Sequence, residues 1–429
     1  MATLVVAGVL AAVTLVASFS TWPSRQRTLG STSIDPPARR AARGEPFSPI
    51  NRWRATPVEL QRIPGMEGAV TDRQLVTALA SALPMWDPPT VPSLVHELRL
   101  WGRHSDFTKA MLRRPRSGEM MVETLLNDRL CRERTTTGEG TFLMDSPYGI
   151  YVALAGTRDE IEGRAEGHYG QLLMALGEAG IPLDTSVSTV SGRSGTIADL
   201  LHDAAMRFAW TAELEFIAVA LALWLPPETT WTNQFGNRYS FDDLMTKLTN
   251  IPHGQGACGG THVPYAIASI LNVDRQYPLL TAPVRQRGTL WLTDLGAKLE
   301  RTQTAGGGWD YKWAEQQQPV RQLWHDSVLD QITITGHHLE WMSLAPPHVR
   351  PAPRSIALAV NALTRDIDRL PPVEGREFKT LLPCSHAAKA LCQLRGQDPF
   401  AAWETFWDQG RLIYDSNRGW KLKPVSSMQ

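Results

Sequence analysis

The stretch Gly256–Leu271, with the sequence GACGGTHVPYAIASIL, carries the signals of a loop that ends and an apolar helix that begins. Glycines form the loop, Thr261 offers a cap for the free amides of a first helical turn, and His262 follows directly. Because the next residues are almost all apolar, we predict a buried helix with a histidine in its first turn.

The same arrangement of a polar residue at the head of an apolar run recurs along the chain. The residues concerned are His168, Glu215, His262, His337 and His386, and the successive intervals are 47, 47, 75 and 49 residues. Three intervals lie close to fifty, and the fourth fits one repeat with an insertion. The spacing therefore predicts an internal repeat, with each unit long enough for two helices and their loops.

A second set of segments is more charged and has a one-sided apolar stripe, at 196–210, 240–251, 291–303, 354–367 and 400–410. Helical spacing also occurs at 70–84 and 91–102, and the repeat places a sixth inner helix at 120–131. Segment 142–155 has some strand character, and a loop that leads into a helix is the alternative. Alternating apolar and amphipathic helices predict an all-α fold, an α/α toroid with an inner and an outer ring. Its inner helices would run in parallel and open their first turns at one mouth.

The segment QTAGGGW at 303–309 resembles the Q-x3-G-x-W turn of squalene and oxidosqualene cyclases. The alternation of helices is similar to their toroid, which protein prenyltransferase β-subunits share. The resemblance covers roughly residues 90–429 and implies the fold. It does not extend to the chemistry, because the chain has neither the D-x-D-D acid motif of the cyclases nor the D-x-C pair of the prenyltransferases. The segment GHHLEW also resembles His–Glu segments of sugar epimerases built on α/α barrels.

The charge composition of the chain limits the classes of ligand that it is expected to bind. The 429 residues include 43 lysines and arginines against 43 aspartates and glutamates, so no net charge directs the protein to nucleic acid. A small-molecule or glycan ligand is the alternative that the composition leaves open.

The N-terminus predicts a membrane attachment. Residues 2–19 are uncharged and almost wholly apolar, close to the length that spans a bilayer. We interpret residues 1–22 as a transmembrane anchor, with a cleaved signal peptide as the alternative. Residues 23–66 are rich in proline and arginine and form a tether or wrapping arm, and residues 67–429 form the toroid domain. The side of the membrane on which the domain lies stays open.

The toroid hypothesis places the repeated polar residues at one mouth. We predict His262, His337 and Glu340 as catalytic acid–base groups, with His337 and Glu340 sharing a helix face. Helix N-termini would keep the histidines neutral near pH 7. The residues that we expect to bind substrate are His168, Glu215, Trp341 and His386. Cys258 and His262 could hold a zinc ion.

Two classes of function follow from these residues. The first is a membrane-tethered enzyme, cyclase-, transferase- or lyase-like, acting on a lipid-like or glycan substrate. The second is a toroid that binds a ligand or a partner without turnover. The clustered His and Glu residues favour the enzyme, while the missing family motifs favour the binding protein.

Overall fold

Helices dominate the structure, as the sequence predicts for an all-α protein. The computed structural model describes residues 53–84, 88–107, 116–136, 141–154, 165–210, 213–227, 229–314, 327–371, 378–415 and 419–423. In this part of the chain the α-helices are α1 Asp72–Ser81, α2 Val91–Trp101, α3 Gly118–Leu126, α4 Asp128–Arg134, α5 Gln171–Glu178, α6 Ile197–Arg207, α7 Glu215–Trp224, α8 Phe241–Leu248, α9 His262–Gln276, α10 Ala282–Thr302, α11 Ser327–Leu344, α12 Pro353–Asp368, α13 Phe378–Arg395 and α14 Pro399–Asp408. A helical turn, Ala257–Gly260, precedes α9, and 3-10 helices form at Glu67–Ala69 and Pro347–Val349.

In the described part of the chain the strands form four separate antiparallel hairpins. They are β1 Leu143–Ser146 with β2 Gly149–Val152, β3 Ser186–Ser188 with β4 Ser194–Thr196, β5 Trp231–Thr232 with β6 Arg238–Tyr239, and β7 Leu412–Asp415 with β8 Gly419–Leu422. The first hairpin confirms the strand character of segment 142–155.

Six helices contact one another in a closed circuit. The order of contacts is α2, α5, α7, α9, α11, α13 and back to α2. Every residue of α7 is buried, and so is every residue of α2 except Pro92, because both helices are covered on all sides. Helix α10 shows the contrasting pattern, since it buries only one stripe, which contains Leu292, Leu295 and Leu299. The inner helices therefore carry the core, and the amphipathic helices pack outside them.

The structure corrects the position of the sixth inner helix. Segment 120–131 does not form it but is split into α3 and α4 at Asn127, whose side chain caps α4. Helix α2 takes the place in the circuit between α5 and α13. The fifty-residue spacing fails here because α3, α4 and the first hairpin lie between α2 and α5.

The structure also corrects two helix starts. His337 and His386 lie in the middle of helices that begin at Ser327 and Phe378. Gly336, which resembles a loop glycine in the sequence, is helical, and a Cβ atom there would lie 3.1 Å from the amide nitrogen of Ala387. It thus permits a close approach of α11 and α13.

The Gln303–Trp309 segment connects an outer helix to its neighbours. The Gln303 side chain donates to the carbonyls of Gly307 (2.6 Å) and Ser355 (2.7 Å), at the start of α12. The Trp309 indole is fully buried and donates to Leu299 of α10 at 3.0 Å. This segment therefore fixes α10 against α12 through backbone carbonyls.

Residues 53–66 lie as an extended strap across the C-terminal ends of the inner helices. Three of its backbone contacts, to α7, α9 and α11, are those of Arg54 with Trp224 (2.8 Å), Gln61 with Asn272 (2.9 Å) and Ile63 with Ser343 (3.0 Å). Because one continuous segment reaches the C-terminal ends of three helices, these helices run in the same direction. The strap closes this end of the circuit.

Among the described residues no helix combines the length and the apolar character needed to cross a membrane. The predicted anchor, residues 2–19, lies outside the described residues.

Candidate active site

The open end of the helix circuit lies opposite the strap, where helices α5, α7 and α9 begin. His168 comes just before α5, Glu213 comes just before α7, and His262 is the first residue of α9. The His168 and Glu213 side chains keep 21% and 26% of their surface exposed, whereas His262 keeps 2%. The cluster is therefore accessible to solvent from this end.

A row of imidazole rings extends from this opening into the interior. The ring centroids of His168 and His262 are 4.7 Å apart, and those of His262 and His337 are 4.9 Å apart. His337 and His386 follow at 3.8 Å, and His386 and His96 at 5.1 Å. Five histidines from five different parts of the helix circuit thus form one continuous array.

Two glutamates hold the rings of this array in pairs. Glu213 lies 2.9 Å from Nδ1 of His168 and 3.5 Å from Nδ1 of His262. Glu340 lies 3.2 Å from Nδ1 of His337 and 3.0 Å from Nδ1 of His386. A carboxylate on Nδ1 fixes the ring and leaves Nε2 for another partner.

Cys258 brings a thiol to the outer part of the row. Among the described residues it is the one non-glycine residue with a positive φ, 47°, and it is followed by Gly259 and Gly260 at 65° and 75°. The Gly259 carbonyl accepts from the Trp313 indole at 3.0 Å. Gly260 is required here because a Cβ atom would lie 2.5 Å from the backbone of Gly254. The turn is thus strained and fixed, as turns at functional sites often are.

The charges around Cys258 favour a thiolate. Burial raises the pKa of the Cys258 thiol, but His262, together with His168 and His337, holds it well below its usual range. Burial lowers the pKa of His168, but Glu213 and Cys258 raise it well above the usual range. Burial has the same effect on His262, whose pKa Cys258 and Glu213 nevertheless raise to about 9. We expected helix N-termini to keep these imidazoles neutral, and the carboxylate and the thiolate beside the two rings act in the opposite direction.

His337 has a buried ring nitrogen without a partner. Its side chain is 3% exposed, and Nε2 makes no hydrogen bond to any described residue. His337 helps to hold the pKa of Cys258 low, so its ring lies near the sulfur. A buried, unpaired nitrogen is costly, and its position beside a thiol marks a place for a ligand.

The inner part of the row rests on a charged network. Arg99 of α2 donates to Glu340 at 2.7 Å and to Glu178 at 3.1 Å, and its Nη1 lies 3.1 Å from Nδ1 of His386. Lys389 pairs with Glu178 as well. Burial raises the pKa of Glu340, but Arg99 and His386 hold it well below its usual range. The carboxylate is therefore ionised and fixed from both sides.

The predicted site residues separate into a cluster and two outliers. His168, Cys258, His262, His337, Glu340 and His386 lie together, although His337 and Glu340 are buried in the interior rather than placed at a helix start. Glu215 lies at the edge, where its carboxylate accepts from the amide of Leu214 at 2.9 Å. The Trp341 indole donates to Nδ1 of His338 at 3.2 Å, and the structure places that pair beside Trp309 and Trp313 instead of in the cluster.

Sequence reasoning missed the residues that hold the histidines, which are His96, Arg99, Glu178, Glu213 and Lys389. Glu213 had a usable signal, because it lies two residues before Glu215 and precedes the helix. His96 and Arg99 share one face of α2, three residues apart, but α2 lies outside the repeat spacing.

Comparisons with protein-family models, with curated proteins and with solved structures find no match for this chain, so the site is interpreted from its own geometry.

Proposed function

We propose that this chain is an enzyme on an α/α toroid, which performs proton-transfer chemistry on a polar substrate at the N-terminal end of the inner helices. The closed circuit of six helices with amphipathic helices outside it supports the toroid. The observation that carries the enzyme is the pair His337–Glu340. Glu340 holds Nδ1 of His337, and Nε2 is buried without a partner next to Cys258.

This geometry suits a general acid or base. An imidazole whose Nδ1 is held by a carboxylate keeps one tautomer, so Nε2 can accept a proton from a reacting group and return it. Burial of so many ionisable groups costs stability, and such clusters occur mainly where chemistry needs them. The Nε2 atom of His338 is likewise buried without a partner, but it lies among tryptophans, whereas the His337 ring lies beside Cys258 and Glu340.

The site favours a polar substrate over a lipid-like one. Imidazoles, a thiol and carboxylates line it, and these groups would capture a carbocation instead of sheltering it. They offer hydrogen bonds to hydroxyl and carboxyl groups. Among the substrates that the sequence leaves open, a glycan therefore fits better than an isoprenoid, and lyase or epimerase chemistry fits better than cyclisation.

The attachment to a membrane stays part of the proposal and rests on residues 2–19. The strap lies on the closed end of the helix circuit, and it connects toward that segment.

The test is a turnover assay on defined sugars. The purified full-length chain is incubated with a panel of polyuronates, 4-nitrophenyl glycosides and reducing sugars. Unsaturated uronate absorbance, nitrophenol release and NMR epimer ratios are then measured. We expect turnover by the wild type and a loss of about 10²–10⁴-fold in kcat/KM for His337→Ala and Glu340→Gln.

His338→Gln is the matched control, because His338 is the next residue and is equally buried but lies outside the cluster. It should retain wild-type kcat/KM. Turnover that survives His337→Ala in folded protein would contradict the proposal. Calorimetric binding of a sugar by the wild type without any turnover would favour the alternative, a ligand-binding toroid.

A further inference from the structure

We propose that His168, Cys258 and His262 bind a zinc ion. This inference rests on the proposed function and deepens it, because the ion would supply the Lewis acid beside His337. One ligand atom from each of the three residues can be chosen so that all lie within 4.8 Å of one another. Two nitrogens and one sulfur around zinc stand about 3.3–3.6 Å apart at normal bond lengths. Small side-chain movements would therefore complete the site.

The carboxylate behind the ligands supports a metal. Glu213 contacts Nδ1 of both His168 and His262, which directs the Nε2 atoms of the two rings away from it. A carboxylate on the far nitrogen of a histidine ligand is the usual outer support of zinc sites, because it fixes the ring and raises its basicity. One carboxylate that serves two rings places both toward the same point.

The thiol completes a ligand set that selects zinc. A strained turn holds the Cys258 sulfur within 4.8 Å of a ring nitrogen of His168 and of His262. Two imidazoles and a thiolate match zinc in tetrahedral geometry with one position left for water or substrate. The His337 ring lies 4.9 Å from that of His262, and its Nε2 atom has no hydrogen-bond partner among the described residues, so His337 would stand next to the ion.

A second group of possible ligands, His337, Glu340 and His386, is less suitable for a cation. Its ligand atoms also lie within 4.8 Å of one another. However, the Arg99 guanidinium is 2.7 Å from Glu340 and 3.1 Å from His386, and it already supplies the positive charge there. We therefore assign one metal ion to the outer group and leave the acid–base role to the inner one.

The test measures metal content in the full-length chain. Protein from zinc-supplemented culture is purified in detergent, and its zinc is measured by mass spectrometry. We expect about one zinc per chain in the wild type and a large loss in Cys258→Ser and His262→Ala. Glu213→Gln should weaken zinc binding by about 10–100-fold. His386→Gln is the matched control and should keep the wild-type content.

Cobalt provides a readout that does not depend on activity. Co²⁺ added to the metal-free wild type should give a thiolate-to-cobalt charge-transfer band, and Cys258→Ser should lack it. Circular dichroism shows whether each variant is folded. Wild-type protein without stoichiometric zinc and without a cobalt band would overturn the site, and so would equal zinc in folded Cys258→Ser and His262→Ala.

The outcomes separate this inference from the proposed enzyme. Turnover by zinc-free protein would contradict the Lewis-acid role of the metal, while the acid–base role of His337 would stand. If the protein bound sugars without turnover but held stoichiometric zinc that depends on Cys258, the zinc site would be supported and the proposed enzymatic function would be contradicted. Loss of zinc from His337→Ala would show that His337 is the fourth zinc ligand. The ion would then have no open coordination position, and His337 could not act as the acid–base group.

Discussion

Arg99 is the residue on which the interior of the cluster depends. Its guanidinium, on a side chain 5% exposed, contacts Glu340 at 2.7 Å and Glu178 at 3.1 Å. Burial lowers the pKa of Arg99, but Glu178 and Glu340 raise it well above its usual range. Because both carboxylates are buried as well, Arg99 compensates charges that water cannot reach.

Replacement of this arginine should be strongly destabilising. Arg99→Met keeps much of the volume but leaves Glu340 without its cation, and we expect a loss of about 3–5 kcal/mol in the free energy of unfolding. The measurement is urea denaturation followed by circular dichroism. Arg62→Met is the control, because the Arg62–Glu67 pair is partly exposed and solvent screening should make its contribution much smaller. Equal losses in the two variants would show that Arg99 is not the compensating charge.

At the scale of helices, the close contact of α11 and α13 explains both what the sequence predicted and what it missed. The alternation of apolar and amphipathic helices was readable, because burial on all sides and burial on one side leave different patterns. The starts of α11 and α13 were not readable. Gly336 and Pro383 resemble signals at a helix start, yet both lie inside helices, where tertiary packing outweighs local preference.

The strap, residues 53–66, should stabilise the C-terminal end of the inner helices, which it covers. Asn272 accepts from the Gln61 amide at 2.9 Å and donates to the carbonyls of Gln61 (2.6 Å) and Leu344 (3.0 Å). Asn272→Leu removes these bonds and takes the side-chain donor from the buried Leu344 carbonyl, so we expect a loss of about 1–3 kcal/mol.

Amide hydrogen exchange shows which part of the molecule is destabilised by Asn272→Leu. Amides in residues 53–66 should exchange faster in Asn272→Leu than in the wild type, while amides in α2 stay protected. Ser240→Ala is a comparison variant of similar cost, about 1 kcal/mol, because it removes the helix cap of α8 without touching the strap. If the strap exchanged equally in both variants, Asn272 would not be its anchor.

At the scale of the whole molecule, the repeat could be used to predict which histidines meet, but not what surrounds them. His168, His262, His337 and His386 were predicted to converge from their spacing along the chain. The groups that hold the row in place come from helix α2 and from the loop before α7, outside the repeat. Contacts between elements far apart in sequence leave no local pattern, so the role of Arg99 became visible only in three dimensions, whereas Glu213 had a signal in its position before the predicted helix.

Two buried side chains, His96 and Glu166, make the stability of the protein depend on pH in opposite directions. Burial lowers the pKa of His96 from 6.5 to about 4, with a further contribution from Arg99. The unfolded chain therefore binds a proton between pH 6.5 and 4 that the folded protein does not, and stability falls as the pH falls through this range. Burial raises the pKa of Glu166 from 4.5 to about 7, so its contribution is instead lost as the pH rises toward 7. The two effects overlap, and only a variant can separate them.

His96→Gln isolates the histidine. Its side chain cannot titrate, so the difference in unfolding free energy between wild type and variant should change between pH 6.5 and 4, by at most about 3 kcal/mol for a shift of this size. The direction is fixed, since the wild type loses more stability in acid than the variant does. Urea denaturation at several pH values, followed by tryptophan fluorescence, measures that difference. A difference that stays constant from pH 6.5 to 4 would mean that the folded protein protonates His96 as readily as the unfolded chain does. Burial of His96 would then be offset by solvation or by a stronger hydrogen bond from the protonated ring, such as the one to the Pro92 carbonyl.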